Sequence, residues 1–220
     1  MERYIHHFGG HPIRPLSKGY NGATIVIRLP EDISAKIESL KEEIKGKLKA
    51  EIPDLEDKLY FTPKDALHIT VFVTERIHEG PVSPYAFSED SLSIIREEAA
   101  KISPFKLNIE GVNLTSGGVI ILEGYVAEPQ IFDFREALQS KLKFAPPPRY
   151  KFGILHVTLA RFLRPISDEE FRKIVSIISE YRNRYLGQFL VDELVYAHII
   201  TYGLENDKRE ELIPLGKGKL

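Results

Sequence analysis

The chain has 220 residues, of which 43% are hydrophobic and 28% charged, and its formal net charge at pH 7 is −2. This composition is typical of a globular protein, and the nearly balanced charge argues against binding of long nucleic acid through its backbone. The absence of cysteine excludes a disulfide framework, a thiolate zinc site and a cysteine nucleophile. With no apolar run near 18 residues and no signal-peptide pattern, we expect a cytoplasmic protein without a membrane span.

The first half of the chain is predicted to alternate between strands and helices. Residues 1–21, rich in Gly, Pro and His, are expected to form an irregular arm. Apolar residues spaced at three and four predict helices, whereas β-branched runs bounded by Pro or Gly predict strands. In chain order these are a strand over 22–29, a helix over about 32–50, a strand over about 66–74, a helix over about 88–102, and strands over 105–113 and 118–126.

The second half repeats this order. It contains a predicted helix over about 130–142, a strand over 153–162, a helix over about 167–184 and strands over 189–192 and 194–202; the capping signal Ser167-x-x-Glu170 starts its second helix. The repetition indicates an internal duplication. We therefore predict an α+β fold in which residues 22–220 form one domain. Two pseudo-symmetric lobes, each an antiparallel or mixed sheet with helices outside, would face a central cleft.

The pattern His-x-Thr occurs twice, once in each half. The copies are His68-Ile-Thr70 and His156-Val-Thr158, and each lies in an apolar run that is predicted to be a strand. Residues i and i+2 of a strand point to the same face, so each copy places an imidazole beside a hydroxyl. Two such strands facing one another supply a base, an acid and hydroxyl donors for a phosphate, as a metal-free phosphoryl-transfer site requires.

These motifs resemble the paired signature of the 2H phosphoesterase superfamily, which includes 2′-5′ RNA ligase-like (LigT-like) proteins and cyclic nucleotide phosphodiesterases. The resemblance covers the order of elements over roughly residues 22–203. It implies a bilobal α+β fold with a cleft, and metal-independent chemistry on 2′,3′-cyclic phosphates or related 2′-phosphodiesters. His68 and His156 would then be the acid–base pair, with no assignment of which is which. Thr70 and Thr158 would hold the phosphate, and Arg161 matches the arginine of the second motif.

Further side chains are weaker candidates for substrate binding. Phe72 shares the ideal strand face of His68 and Thr70, where it would stack on a base or pack in the core. Tyr60, before the first motif, and Tyr202, near the end of the last predicted strand, are candidates to line the cleft. Arg161 follows His156 by five residues and would face away on an ideal strand. Its role therefore requires that the strand ends or bulges near residue 160, or that the side chain reaches round the edge; otherwise Arg161 is an exposed arginine at the strand end.

No cofactor or metal site is predicted. The histidines of the arm have no acidic or cysteine partner nearby, which disfavours a metal site.

The expected partners are RNA ends or small cyclic-phosphate nucleotides, and the expected state is a monomer. The leading hypothesis is an enzyme that hydrolyses 2′,3′-cyclic phosphate ends to 2′-phosphates or joins them in 2′-5′ bonds. The alternatives are a nucleotide- or RNA-end-binding module with little catalysis, and an unrelated α+β protein with two chance motifs.

Overall fold

A computed structural model describes most of the chain as one α+β protein. The described residues are 21–77, 87–115, 117–142, 154–199 and 209–216. The strands are β1 Asn21–Arg28, β2 Leu59–Phe61, β3 His68–Ile77, β4 Phe105–Leu114, β5 Val119–Val126, β6 Leu155–Phe162, β7 Tyr185–Val191, β8 Glu193–Ile199 and β9 Arg209–Pro214. The helices are α1 Glu31–Glu51, α2 Leu55–Lys58, α3 Glu89–Ala99, α4 Gln130–Lys141 and α5 Asp168–Ser179, with a 3₁₀ turn at Lys64–Ala66.

The strands form a single antiparallel sheet in the order β7-β4-β5-β6-β3-β1-β8-β9, and β2 pairs with β6 outside this path. The order is symmetric about the junction between β6 and β3. On one side β1 leads through helix α1 to its antiparallel neighbour β3, and on the other β5 leads through α4 to β6. The predicted α+β fold with two pseudo-symmetric lobes is confirmed, and each lobe is wholly antiparallel.

The core lies between the helices and one face of this sheet. Helix α1 shows why: apolar residues at intervals of three and four form a single buried stripe. Helices α1 and α5 pack together against β7 and β4, whereas α3 and α4 pack together against β9 and β3. Each motif strand contributes alternate residues to this core, which leaves the other residues on the opposite face. The residues of the α1 stripe are Ile33, Ile37, Leu40, Ile44 and Leu48.

The structure corrects the predicted elements near residue 180 and adds three that were not predicted. The helix predicted to continue to about residue 184 ends at Ser179, and the next strand begins at Tyr185 instead of residue 189. The additional elements are α2, β2 and β9. Most of the predicted N-terminal arm and residues 78–86 lie outside the described residues.

Candidate functional site

The two His-x-Thr motifs lie side by side on β3 and β6 at the centre of the sheet. Ile69 of β3 pairs with Val157 of β6, and both are 0% exposed and belong to the core. The flanking side chains therefore point away from the helices. These half-buried side chains are His68 and Thr70 on β3, and His156 and Thr158 on β6.

The register of this central pair determines which flanking residues face each other. Counting outward from Ile69 and Val157, His68 stands opposite Thr158 and Thr70 stands opposite His156. Side chains that are directly opposite in an antiparallel pair have Cβ atoms about 4.5–5.5 Å apart. The two imidazoles also interact electrostatically, since His156 contributes to lowering the pKa of His68. The site thus contains two imidazoles and two hydroxyls in one small volume.

Each motif strand bulges immediately after its threonine. The register of β3 against β1 shifts between Thr70 and Phe72, which leaves Val71 as the extra residue. The register of β6 against β5 shifts between Thr158 and Ala160, which leaves Leu159 as the extra residue. A bulge reverses the alternation of side chains beyond it, because it inserts one residue into one strand only.

The second bulge brings Arg161 to the motif face. Arg161 pairs with Val119 and Tyr60 on the two neighbouring strands, and it is half-buried, as Tyr60 is. Of the alternatives left open by the sequence, the structure shows the bulge. On this register Tyr60 points to the same side as Arg161.

The first bulge has the opposite effect on Phe72. Phe72 pairs with Ile25, a core residue, and it is itself 8% exposed within the core cluster. The prediction that Phe72 shares the face of the first histidine is wrong, because the extra Val71 turns it towards the helices. Tyr202, the other aromatic candidate, lies outside the described residues.

The local structure favours a neutral His68. Its Nδ1 lies 2.8 Å from the carbonyl oxygen of Ala66. A carbonyl only accepts hydrogen bonds, so we assign the proton of the neutral ring to Nδ1, which leaves Nε2 as the acceptor. Burial lowers the pKa of His68 to about 4; the bond to Ala66 opposes this, whereas positive charge on Arg28 and His156 adds to it. Arg28 is the β1 residue that pairs with His68.

His156 has a different set of neighbours. Burial lowers its pKa, positive charge on Arg135 and Arg161 lowers it further, and the carboxylate of Glu123 raises it. Glu123 is the β5 residue that pairs with His156. Equivalent positions beside the two motif histidines therefore carry opposite charges, Arg28 in one lobe and Glu123 in the other. Within the described part of the chain, Nδ1 of His156 is buried and has no hydrogen-bond partner.

Two side chains hold Glu123 in place. The amide of Asn113 donates to its Oε1 at 3.0 Å, and the hydroxyl of Tyr125 donates to its Oε2. This second bond raises the pKa of Tyr125 to about 12, because an ionised phenol would lose the bond and face the carboxylate. The Tyr125 side chain is nevertheless 45% exposed, on the face that also carries His156.

Arg135 approaches the motifs from the core side and was not identified from the sequence. It lies on α4, is 7% exposed, and donates hydrogen bonds to main-chain carbonyls of β3 and of Ile154, the residue directly before β6. Its neighbours Ile131, Phe134 and Leu138 are all buried, so Arg135 occupies a core position of the helix. A charged residue within an apolar helical stripe is the signal that would have identified it.

Over the described residues, no group of three or more His, Asp or Glu side chains is arranged to hold a metal ion. Over the same residues, no helix has the length and apolarity needed to cross a membrane.

The sheet and its paired motifs are those of the 2H phosphoesterase superfamily. The sequence model of the 2′-5′ RNA ligase superfamily matches residues 29–199, and the chain therefore belongs to that family. This family lies within the 2H phosphoesterase superfamily, as the sequence motifs predicted. No curated protein sequence matches this chain.

Several solved structures share the fold. The conserved protein of unknown function ATU0111 from Agrobacterium tumefaciens str. C58 is 18% identical, with a TM-score of 0.56 over 89% of this chain and 86% of that one. E. coli LigT complexed with 3′-AMP is 15% identical, with a TM-score of 0.54 over 89% and 95%. Kluyveromyces marxianus Usb1 with uridine monophosphate is 17% identical, with a TM-score of 0.50 over 91% and 100%. At these identities the likeness establishes the fold.

Proposed function

We propose that this protein is a metal-independent phosphoesterase that acts on 2′,3′-cyclic phosphate ends of RNA or of nucleotides. The observation that carries this proposal is the placement of two His-x-Thr motifs around one site, with both histidines intact. Membership of the 2′-5′ RNA ligase superfamily supports the same reaction class. Fold relatives bound to 3′-AMP and to uridine monophosphate support a nucleotide as the ligand.

In the proposed reaction the two histidines have different roles. His68 acts as the base: its neutral Nε2 takes a proton from water, and the water oxygen attacks phosphorus. The bond from phosphorus to the ribose 3′ oxygen breaks, and His156 donates the proton that this oxygen needs. The product carries a 2′-phosphate. An RNA 5′-hydroxyl in place of water would give a 2′-5′ bond, and the strain of the cyclic ester would supply the free energy in both reactions.

The surroundings of each histidine support this assignment. His68 is neutral at working pH, and its bond to the Ala66 carbonyl stabilises the imidazolium that forms once it has taken a proton. Burial, Arg135 and Arg161 lower the pKa of His156, and the carboxylate of Glu123 opposes this lowering. We assign the acid role to His156 because it is the motif histidine with a carboxylate beside it, which stabilises its protonated form. Each positioned acid or base typically contributes about 10²–10⁴-fold in rate.

The remaining motif residues are proposed to bind the phosphate. The hydroxyls of Thr70 and Thr158 face the same volume as the imidazoles and would donate to the non-bridging oxygens. Arg161 would neutralise charge that develops on these oxygens. Tyr60, opposite Arg161, would line the edge of the site. Tyr202 stays a candidate for binding from its sequence position.

The alternative proposal is a nucleotide- or RNA-end-binding module with little catalysis. Phosphate binding alone would need the hydroxyls and Arg161 but not two histidines of opposite role.

The test is to incubate the protein in EDTA with 2′,3′-cyclic nucleotides and with short RNAs that end in a cyclic phosphate. Formation of 2′-phosphates or 2′-5′ bonds supports the enzyme, whereas tight binding without turnover on any of these substrates supports the binding module.

A further inference from the structure

The backbone ladder between the two motif strands is one residue pair long. Ile69–Val157 is the one residue pair recorded between β3 and β6 in the described residues. Towards the C-terminal end of β6, the short strand β2 takes over the pairing, with Leu59–Phe61 opposite Ala160–Phe162. Towards the start of β6 another group must satisfy the backbone polar atoms, because buried carbonyls are almost always hydrogen-bonded.

The Arg135 guanidinium occupies this second gap. Its Nε donates to the carbonyl of Val71 at 2.6 Å and an Nη donates to the carbonyl of Thr70 at 3.2 Å, both on β3. Its other Nη donates to the carbonyl of Ile154 at 3.3 Å, directly before β6. On the register of the central pair, residues 71 and 72 would face residues 155 and 154. The guanidinium therefore lies where the ladder between the two strands would otherwise continue.

We propose that Arg135 is a positioning residue that replaces the missing ladder between the two motif strands and fixes the second histidine relative to the first. The bonds described above reach the motif residue Thr70, the bulged residue after it, and the residue two before the second histidine. A planar guanidinium suits this task because its N–H donors form a rigid fork with a fixed geometry. The strands can then spread to admit a phosphate and its ribose, while their relative position is still defined.

Arg135 also acts on the site through its charge. It is buried behind the motifs, where desolvation lowers its own pKa to about 10, so it is still charged at neutral pH. Its positive charge contributes to lowering the pKa of His156. The other groups that act on His156 are Arg161 and Glu123, and His156 in turn acts on His68. Removal of Arg135 should therefore change both the geometry and the titration of the site.

The test compares two substitutions of Arg135. Arg135→Lys keeps the charge but replaces the fork by a single nitrogen, whereas Arg135→Met also removes the charge. We expect kcat on a 2′,3′-cyclic nucleotide to fall by about 10²-fold in Arg135→Met, as for a misplaced reacting group, and by less in Arg135→Lys. KM should change by less than about threefold, because the phosphate ligands are intact. By NMR, the pKa of His156 should rise in Arg135→Met and stay near the wild-type value in Arg135→Lys.

Lys41→Met is the matched control for the loss of a buried cation. Lys41 is 3% exposed and donates to the main-chain carbonyl of Thr62 at 2.7 Å, but it is not among the groups that act on the pKa of either histidine. Lys41→Met should lower the free energy of unfolding without moving the titration of His156. This comparison separates a general loss of stability from a specific effect on the site, with kinetics measured at a temperature where each variant is folded.

The kinetic part of this inference rests on the proposed function, but the NMR part does not. If the wild-type protein turns over no substrate, the proposed function fails and the titration of His156 still tests Arg135. An unchanged His156 titration in Arg135→Met would overturn the inference, as would wild-type kcat in Arg135→Lys and Arg135→Met alike. If Arg135→Met does not fold, Arg135→Lys decides through its kcat: a reduced value at full folding supports positioning, and a wild-type value overturns it.

Discussion

Arg161 lies on the same face of β6 as His156, although it follows five positions later in the strand. The bulge after Thr158 produces this relationship, because the extra Leu159 reverses the alternation of side chains. We expect Arg161→Met to lower kcat/KM by about 10²-fold, as for the loss of a charged donor to a phosphate in a partly buried site. Steady-state kinetics on a 2′,3′-cyclic nucleotide provide the measurement. Arg164→Met, a change at an exposed arginine of the same segment, should have little effect.

Removal of either motif histidine should abolish most of the activity while the fold is kept. Both side chains are half-buried on the face away from the helices, so His68→Ala and His156→Ala leave the core intact. We expect each to lower kcat by about 10²–10⁴-fold. Circular dichroism and thermal unfolding would confirm the fold of each variant. A folded variant with wild-type turnover would exclude the replaced histidine from the mechanism.

A change of leaving group should distinguish the acid from the base. In a 2′,3′-cyclic phosphate whose 3′ oxygen is replaced by sulfur, the leaving thiolate needs much less protonation than an alkoxide. His156→Ala should therefore lose far less activity on the sulfur substrate than on the oxygen substrate. His68→Ala should lose similar activity on both, because attack by water still needs its base. The reverse pattern would exchange the two roles.

The free energy of unfolding should depend on the protonation of His68. The folded pKa of about 4 lies below the ordinary value of 6.5, so between these pH values the unfolded chain binds a proton here that the folded chain does not. Stability is therefore expected to fall as the pH is lowered from about 6.5 towards 4. The full effect is at most about 3 to 4 kcal/mol at 1.36 kcal/mol per pKa unit.

Urea unfolding at pH 7.5 and pH 5.0 would measure this dependence in a range where most carboxylates stay ionised. His156 acts in the same direction, since its pKa is also lowered. A His68→Gln variant should lose less stability between these two pH values than the wild type. Equal losses in the two proteins would mean that His68 titrates normally in the folded state.

The capping box of α5 provides a prediction about stability alone. The Ser167 hydroxyl accepts from the backbone N–H of Glu170, and the Glu170 carboxylate accepts from the backbone N–H of Ser167. Lys58 also binds this carboxylate, and together these bonds lower the pKa of Glu170 to about 2. Ser167→Ala should lower the free energy of unfolding by about 1 kcal/mol without changing kcat. Ser176→Ala, on the exposed face of the same helix, should cost little.

The sequence predicted the duplicated order of elements and both motifs, because each depends on local patterns. Period-two and period-3.6 spacing of apolar residues identifies strands and helices without any knowledge of their partners. The strand β9 and the short α2 and β2 were not predicted, since they are brief and are stabilised by neighbours distant in sequence. The capping signal at Ser167 was confirmed because both of its hydrogen bonds lie within four residues.

Inside the site, ideal alternation predicted the faces correctly up to each threonine and failed beyond it. Phe72 was placed on the wrong face because the position of a bulge depends on pairing with β1, which the strand does not encode by itself. Arg135 was missed for a related reason. Its hydrogen-bond partners are backbone atoms of strands that come together only in the folded sheet.

The paired bulges also change what a motif search for related chains should require. Each bulge directs two successive side chains into the core, Val71 with Phe72 and Leu159 with Ala160, and all four are no more than 8% exposed. The signature in this chain is therefore five residues long: histidine, any apolar residue, threonine, and two adjacent apolar residues. A strand with a polar residue at the fourth or fifth position would still contain the sequence His-x-Thr. It would, however, bury that polar group against the helices.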